Sequence, residues 1–118
     1  MSDTFWESVG ITADQMEQFY ETASRLYTQG RYVEAADAYY FLSAIDSEIV
    51  APWVALAMVE MQQQKWESAR YYLIVALMID LSDVQAHQLS AMCYEQLGDR
   101  ESASRSRDLA LYYQKNKM

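Results

Sequence analysis

The sequence repeats itself with a period of 34 residues, and no other feature limits the fold as strongly. When the chain is laid over itself without a gap, alanines align at two positions of each unit and turn-forming residues at a third. The aligned sets are Ala23, Ala57 and Ala91; Ala35, Ala69 and Ala103; and Gly30, Gln64 and Gly98. A fixed period of this length is typical of solenoid proteins, in which each unit packs on its neighbours. The register predicts one domain over 1–118, with units at about 16–49, 50–83 and 84–117 after a short segment, 1–15.

Each unit is predicted to form two helices joined by a tight turn. In the first unit, Phe19, Ala23 and Leu26 recur at helical spacing, and apolar side chains resume with the same period over 35–42. Gly30, between these stretches, suits the left-handed backbone conformation that follows many helix ends. The chain contains only three glycines and one proline, so long helices are interrupted at few places. These patterns predict an all-α protein.

The two ends of the stack are expected to be covered differently. A short helix is predicted over 4–9, where Phe5 and Trp6 supply apolar surface for the open end of the first unit. The last helix, predicted over 100–113, carries several charged side chains. Because terminal units need a polar outer face, this last helix is expected to cap the stack.

The charge balance excludes several classes of partner. The chain carries 17 acidic and 9 basic side chains, a formal net charge of −8. Phosphate backbones and anionic membrane surfaces repel such a chain, so nucleic acid is not an expected partner. The longest apolar run, 71–79, is about half as long as a bilayer-spanning helix. With one cysteine and an N-terminus unlike a secretory signal, the sequence predicts a soluble cytoplasmic protein that does not insert into membranes.

The sequence shows no constellation of catalytic or metal-ligating residues. His87 is the one histidine, and it aligns with Phe19 and Trp53, which are packing positions. Cys93 lies on another face of the same predicted helix, and one histidine with one cysteine cannot complete a zinc site. A carboxylate such as Asp46 falls at a helix end, where solvation or capping explains it. We therefore expect no catalytic residues, no metal and no cofactor, and the protein is not predicted to be an enzyme.

The unit length and the alternation of small and large residues resemble the tetratricopeptide repeat over residues 16–117. The resemblance implies a solenoid of three helix-turn-helix hairpins in a right-handed superhelix, with the first helices lining a concave groove. In that family, fixed positions of each unit face the groove. Carried over to this chain, the candidate partner-binding residues are Tyr20, Ser24, Tyr27, Val54, Met58, Met61, Gln62, Gln88, Met92 and Glu95.

The composition of this predicted groove indicates the kind of partner. Tyrosine, valine and methionine make it largely apolar, and methionine is flexible, so the groove suits an extended peptide with spaced apolar side chains. Alternatively, the methionines only fill gaps between helices. Tetratricopeptide grooves that hold the C-terminal carboxylate of heat-shock chaperones use cationic and amide side chains. The matching sites here are Tyr20, Ser24, Ala55, Gln85 and Leu89, so that partner class is not expected.

The opposite face of the predicted hairpins carries a second apolar set. It consists of Tyr40, Phe41, Tyr71, Ile74, Val75 and Met78, at positions that normally face solvent. A contiguous exposed apolar patch usually marks an interface, so this patch predicts self-association into a homodimer or a second partner. The alternative is that the N-terminal segment around Phe5 and Trp6 covers the patch.

A wider similarity points to a narrower family. The stretches that carry it are ITADQMEQFY at 11–20, YTQGRYVEA at 27–35, AID at 44–46 and ALMID at 76–80. Together they resemble the class II chaperones of bacterial type III secretion systems, the LcrH/SycD type, over residues 11–113. The resemblance implies a cytoplasmic chaperone that holds a secreted translocator subunit in its groove before export, without ATP, with Tyr20 and Tyr27 among the groove residues. Alternatives are the escort of a needle subunit, bound as one amphipathic helix, and a general assembly scaffold.

Overall fold

A computed structural model describes residues 4–117 and shows an all-α chain over that range, as predicted. These residues form seven helices and no strand. The helices are α1 (Phe5–Ser8), α2 (Ala13–Thr28), α3 (Tyr32–Ile45), α4 (Val50–Gln62), α5 (Trp66–Ile79), α6 (Val84–Gln96) and α7 (Arg100–Lys115). Consecutive helices from α2 to α7 pack on one another, and α6 also contacts α4. We call α2–α3, α4–α5 and α6–α7 the first, second and third hairpins.

Side chains that precede several helices define where those helices begin. Thr12 caps α2 in a capping box. Its hydroxyl accepts a hydrogen bond from the Gln15 backbone N–H at 3.1 Å, and the Gln15 side-chain oxygen accepts one from the Thr12 backbone N–H at 2.9 Å. In the third hairpin, Asp83 and Asp99 cap α6 and α7 by accepting backbone amides at 2.8 and 3.0 Å. These caps satisfy amide groups that have no partner within the helix.

The three turns inside the hairpins share one backbone geometry. Gly30, Gln64 and Gly98 all have positive φ, at 75°, 60° and 82°. Each donates its amide to the carbonyl three residues earlier, and each following residue donates to the carbonyl five residues earlier, as in a Schellman motif. The aligned turn residues of the repeat therefore end their helices in the left-handed conformation, as predicted for Gly30.

The buried side chains form two clusters, each between consecutive hairpins. In the first cluster, α4 packs on the first hairpin; its buried members are Met16, Ala23, Ala35, Tyr39, Leu42, Leu56 and Val59. In the second cluster, α6 packs on the second hairpin; its buried members are Val54, Ala57, Met61, Ala69, Leu73, Ala76, Ala86 and Cys93. Leu42, Leu56 and Leu73 are almost fully buried, and burial of each contributes about 2 kcal/mol. Therefore α4 completes the core of the first hairpin, and α6 completes the core of the second.

The predicted N-terminal helix is present as α1, and Trp6 holds it against the end of α3. The Trp6 Nε1 donates a hydrogen bond to Asp46 Oδ1 at 3.3 Å, and the Tyr20 hydroxyl donates to Asp46 Oδ2 at 2.8 Å. Trp6 and Ile11 also pack on the first cluster. The interpretation of Asp46 as a solvated or capping residue is therefore corrected: its carboxylate ties α1 and α2 to the α3–α4 loop.

Within residues 4–117, no helix combines the length and the apolar character needed to span a bilayer.

Candidate partner-binding groove

The first helices of the three hairpins, α2, α4 and α6, carry all ten residues predicted to bind a partner. They are Tyr20, Ser24 and Tyr27 in α2; Val54, Met58, Met61 and Gln62 in α4; and Gln88, Met92 and Glu95 in α6. Most of these side chains are exposed or half-buried. Val54 and Met61 are buried, with 5% and 8% of their surface exposed. We call the face of α2, α4 and α6 that bears the accessible members the groove face.

Val54 and Met61 are core residues because α6 packs over them. Both belong to the second cluster, which Ala86 and Cys93 of α6 complete. Val54 and Met61 therefore pack mainly against α6, whereas Tyr20 and Tyr27, at the same repeat positions of α2, remain half-buried. For Met61 the alternative interpretation holds, since its flexible side chain fills space between helices.

An apolar depression lies on the groove face where α4 meets the start of α6. Its volume is about 390 Å³, and its lining residues are Ile49, Val50, Ala51, Val54, Ala55, Met58, Asp83 and Gln85. The Gln85 Nε2 donates to Met58 Sδ at 3.8 Å, which joins the second and third hairpins across the depression. The tetratricopeptide resemblance places Ala51 and Gln85 in the groove, at the second position of their units, although they are not among the ten candidate binding residues. Ala55 is likewise one of the groove sites compared above with carboxylate-binding grooves.

Two half-buried tyrosines of α2 extend the groove face towards the first hairpin. The Tyr27 ring packs edge-to-face on Tyr32, with ring centroids 5.8 Å apart. Tyr20 is held by its hydrogen bond to Asp46. Burial, together with that hydrogen bond, raises the pKa of Tyr20 well above its ordinary value, so its hydroxyl remains a donor. Both rings pack on the first cluster and are half-buried, so each leaves part of its surface accessible on the groove face.

The groove face carries few positive charges. The helices α4 and α6 contain no lysine or arginine, and α2 contains only Arg25. Glu95 of α6 forms an ion pair with Arg107 of α7, at 2.5 Å between Oε2 and Nη1. The three helices therefore do not present the paired cationic donors that a terminal carboxylate requires. Their accessible surface suits apolar side chains better.

The outer patch predicted from the sequence is solvent-exposed in α3 and α5. The exposed fractions of Tyr40, Tyr71 and Met78 are 60%, 60% and 80%. The other members are Phe41 and Ile74, which are exposed, and Val75, which is half-buried. Trp6 lies at the α3–α4 loop, bonded to Asp46, and the described part of the N-terminal segment leaves these side chains open to solvent. The alternative in which that segment covers the patch is therefore wrong.

His87 and Cys93 occupy structural positions. His87 is 2% exposed; its Nε2 lies 2.7 Å from the Leu81 carbonyl oxygen, and its ring stacks on Tyr113. Cys93 is fully buried, and burial raises the pKa of its thiol to about 11. Over residues 4–117, no group of three or more histidine, cysteine, aspartate or glutamate side chains could hold a metal ion. The prediction that His87 is a packing residue is confirmed.

Comparison with known proteins rests on structure. No protein-family model matches the sequence, and no curated protein is significantly similar to it. The type III secretion translocator chaperone SycD of Yersinia enterocolitica superimposes with a TM-score of 0.92 at 21% identity, over 99% of this chain and 87% of that chain. SycD in complex with a peptide of the translocator YopD gives a TM-score of 0.86 at 22% identity, over 92% and 82% of the two chains. The chain has the fold of the type III secretion translocator chaperones.

The same fold also occurs outside secretion. The first tetratricopeptide domain of Spaghetti (RPAP3), solved with an HSP90 peptide, superimposes with a TM-score of 0.82 at 18% identity, over 92% of this chain and 86% of that chain. This likeness confirms the predicted tetratricopeptide fold. Because proteins with this fold bind different peptides, the chemistry of the groove face must distinguish among ligands.

Proposed function

We propose that the protein is a non-enzymatic chaperone of a bacterial type III secretion system. It binds a secreted translocator subunit on its groove face and keeps that subunit soluble in the bacterial cytoplasm before export. The observation that carries the proposal is the apolar depression beside Met58, on the groove face of a chain with the fold of SycD. SycD itself has been solved with a peptide of the translocator YopD, which supports a translocator segment as the ligand.

The depression suits an apolar side chain that projects from an extended segment. Ala51 and Ala55 leave room beside α4, and the half-buried Met58 can change rotamer to fit the side chain that enters. Burial of one large aliphatic side chain contributes roughly 2 kcal/mol, and the ordering of both chains offsets part of that gain. Several anchors along the groove are therefore needed, and Tyr20 and Tyr27 provide further apolar surface. Because apolar burial drives binding, holding the subunit requires no ATP.

The groove is tested by the double variant Tyr27→Ala with Met58→Ala. Loss of two accessible apolar side chains should weaken binding by about tenfold or more while the helical content stays unchanged. Isothermal titration calorimetry with the translocator measures the affinity, and circular dichroism verifies the fold.

A matched control carries two alanine substitutions away from the groove face and the outer patch, at Tyr112 and Leu109, which are 58% and 41% exposed. The Tyr112→Ala, Leu109→Ala variant should bind as the wild type does. Wild-type affinity of the folded groove variant would remove the groove from the proposal.

The partner itself is identified by co-expression in the native bacterium, purification and mass spectrometry. A translocator among the co-purifying proteins supports the proposal. A needle subunit would replace it with the escort alternative, in which one amphipathic helix occupies the groove. Recovery of unrelated soluble assemblies alone would reduce the function to a general scaffold.

A further inference from the structure

An apolar cleft remains open between α6 and α7. Its volume is about 340 Å³, and it is lined by Gln88, Ala91, Met92, Glu95, Arg107, Ala110, Leu111 and Gln114. Met92 and Leu111 are 50% and 65% exposed. The expectation that α7 closes the stack with a polar face is therefore only partly right, because charged side chains of α7 coexist with exposed apolar ones beside this cleft.

The repeat shows what covers this surface elsewhere in the molecule. Shifted back by 34 residues, the cleft corresponds to a surface of the second hairpin that α6 covers. That surface contains Val54, Ala57, Met58, Met61, Leu73, Ala76 and Leu77. Shifted back once more, it corresponds to the surface of the first hairpin that α4 covers. The fold therefore fills the equivalent of the α6–α7 cleft twice, and each time with a helix.

The two covering helices share a docking ridge. The helix α6 buries Ala86, Ser90 and Cys93, and α4 buries Pro52, Leu56 and Val59 at the equivalent positions. Both ridges follow the spacing i, i+4, i+7, which lines one face of a helix. The small or aliphatic side chains of each ridge pack against the alanines of the preceding hairpin.

Compared with the equivalent surface of the second hairpin, the α6–α7 cleft is apolar at about half of its positions and polar at the others. Ala91, Met92, Ala110 and Leu111 repeat the apolar character of their counterparts in the second hairpin. In contrast, Gln88, Glu95 and Arg107 replace Val54, Met61 and Leu73, and Glu95 forms its ion pair with Arg107 at the edge of the cleft. These polar groups lower the cost of exposing the cleft to water. The cleft surface therefore suits a partner that binds reversibly.

The charge around the cleft indicates the charge of the segment that binds there. Residues 84–117, which form both walls of the cleft, carry five basic and four acidic side chains, a net charge of +1, whereas residues 1–83 carry a net charge of −9. This end of the molecule is therefore its basic part, and it attracts an acidic segment. A second copy of the chain offers no suitable helix within its described residues, because α2 to α7 pack in its own fold. Its α1 has four residues, shorter than the cleft, which extends roughly 10 Å along α6 from Gln88 to Glu95.

We propose that the α6–α7 cleft binds an amphipathic helix of the protein partner, with small side chains at i, i+4 and i+7 and acidic side chains on its flanks. The inference rests on the proposed function only in taking the partner to be a protein. The partner then makes two contacts, an extended segment on the groove face and a helix at the cleft.

The test uses a capped, fluorescein-labelled 14-residue peptide of about α6 length with alanine, serine and alanine at the three ridge positions, leucine at i+3 and glutamate on both flanks. Fluorescence anisotropy with the whole protein should show saturable binding. Leu111→Asp should weaken it by about tenfold, because a carboxylate cannot be buried against the ridge. The same peptide with lysine in place of glutamate should bind more weakly, and Arg107→Glu should remove that preference.

Tyr112→Asp is the matched control, since Tyr112 is exposed on the same helix and does not line the cleft. It should leave peptide affinity within about twofold of the wild type. Absence of saturable binding, or equal losses in Leu111→Asp and Tyr112→Asp, would overturn the inference. Loss in Met58→Asp but not in Leu111→Asp would place the helix on the groove face, which overturns the cleft and leaves the proposed function standing.

Discussion

Gln64 has the backbone conformation that glycine has in the other two turns. Its φ of 60° places a side chain where L-residues are disfavoured, because Cβ approaches the backbone. Gly30 and Gly98 avoid this cost, and a Cβ at either would meet no atom within 4 Å outside the glycine itself and its two chain neighbours. The strain in these turns therefore comes from the backbone conformation alone, and in the second hairpin Gln64 adopts the strained conformation.

Gln64→Gly should raise the free energy of unfolding by about 0.5–1 kcal/mol. The substitution relieves the left-handed strain of the folded state, and the greater conformational freedom of glycine in the unfolded chain offsets part of that gain. Urea denaturation followed by circular dichroism measures the change. The reverse substitution, Gly30→Gln, should lower stability by a similar amount. A destabilised Gln64→Gly variant would show that the glutamine side chain makes a contact that outweighs its backbone cost.

At the scale of the elements, one carboxylate links α1 to the rest of the fold. Asp46 accepts hydrogen bonds from Trp6 of α1 and from Tyr20 of α2. Asp80 stands at the same repeat position but accepts from the amide and the hydroxyl of Ser82, and these bonds lower the pKa of Asp80. The two aspartates thus stabilise a tertiary contact in one unit and a local turn in the next.

Asp46→Ala should release α1, because the buried edge of Trp6 loses its acceptor, at a cost of about 1 kcal/mol. Amide hydrogen exchange over 5–9 should accelerate, while exchange in α5 to α7 stays unchanged. Asp80→Ala serves as the matched control and should leave exchange over 5–9 unaltered. Equal protection of α1 in both variants would mean that apolar packing of Trp6 alone holds the helix.

At the scale of the whole molecule, the core lies between hairpins, and the described residues form a broad, thin body with extents of 46 × 35 × 19 Å. Two wide surfaces result, the groove face and the outer face of α3 and α5. The outer patch is apolar in a chain of net charge −8. Two acidic copies approach best where local charge is low, so we propose that the outer patch joins two copies.

Tyr71→Glu with Ile74→Glu should convert such a dimer into a monomer, since four carboxylates would face one another across the symmetric interface. Analytical ultracentrifugation measures the mass. Leu109→Glu with Tyr112→Glu introduces the same charges at exposed positions of α7 and should leave the dimer intact. A wild-type protein that sediments as a monomer, or a patch variant of unchanged mass, would contradict the proposal.

The repeat in the sequence was sufficient to predict the helices and the first turn, because both depend on local chemistry. Helical periodicity and a glycine after a helix end act within a few residues, and the structure follows them at Gly30. The all-α fold and the packing role of His87 follow from the same alignment of units.

Burial on the groove face was decided by the tertiary structure. Val54 and Gln88 share one repeat position, yet Val54 is buried because α6 lies over it, while Gln88 stays exposed beside an open cleft. Likewise, nothing local to Asp46 indicates that Trp6, far away in sequence, donates to it. The sequence by itself determined which side chains each helix presents; only the packing of the next helix decided which of them remain available to a partner, because burial depends on neighbours and not on the residue alone.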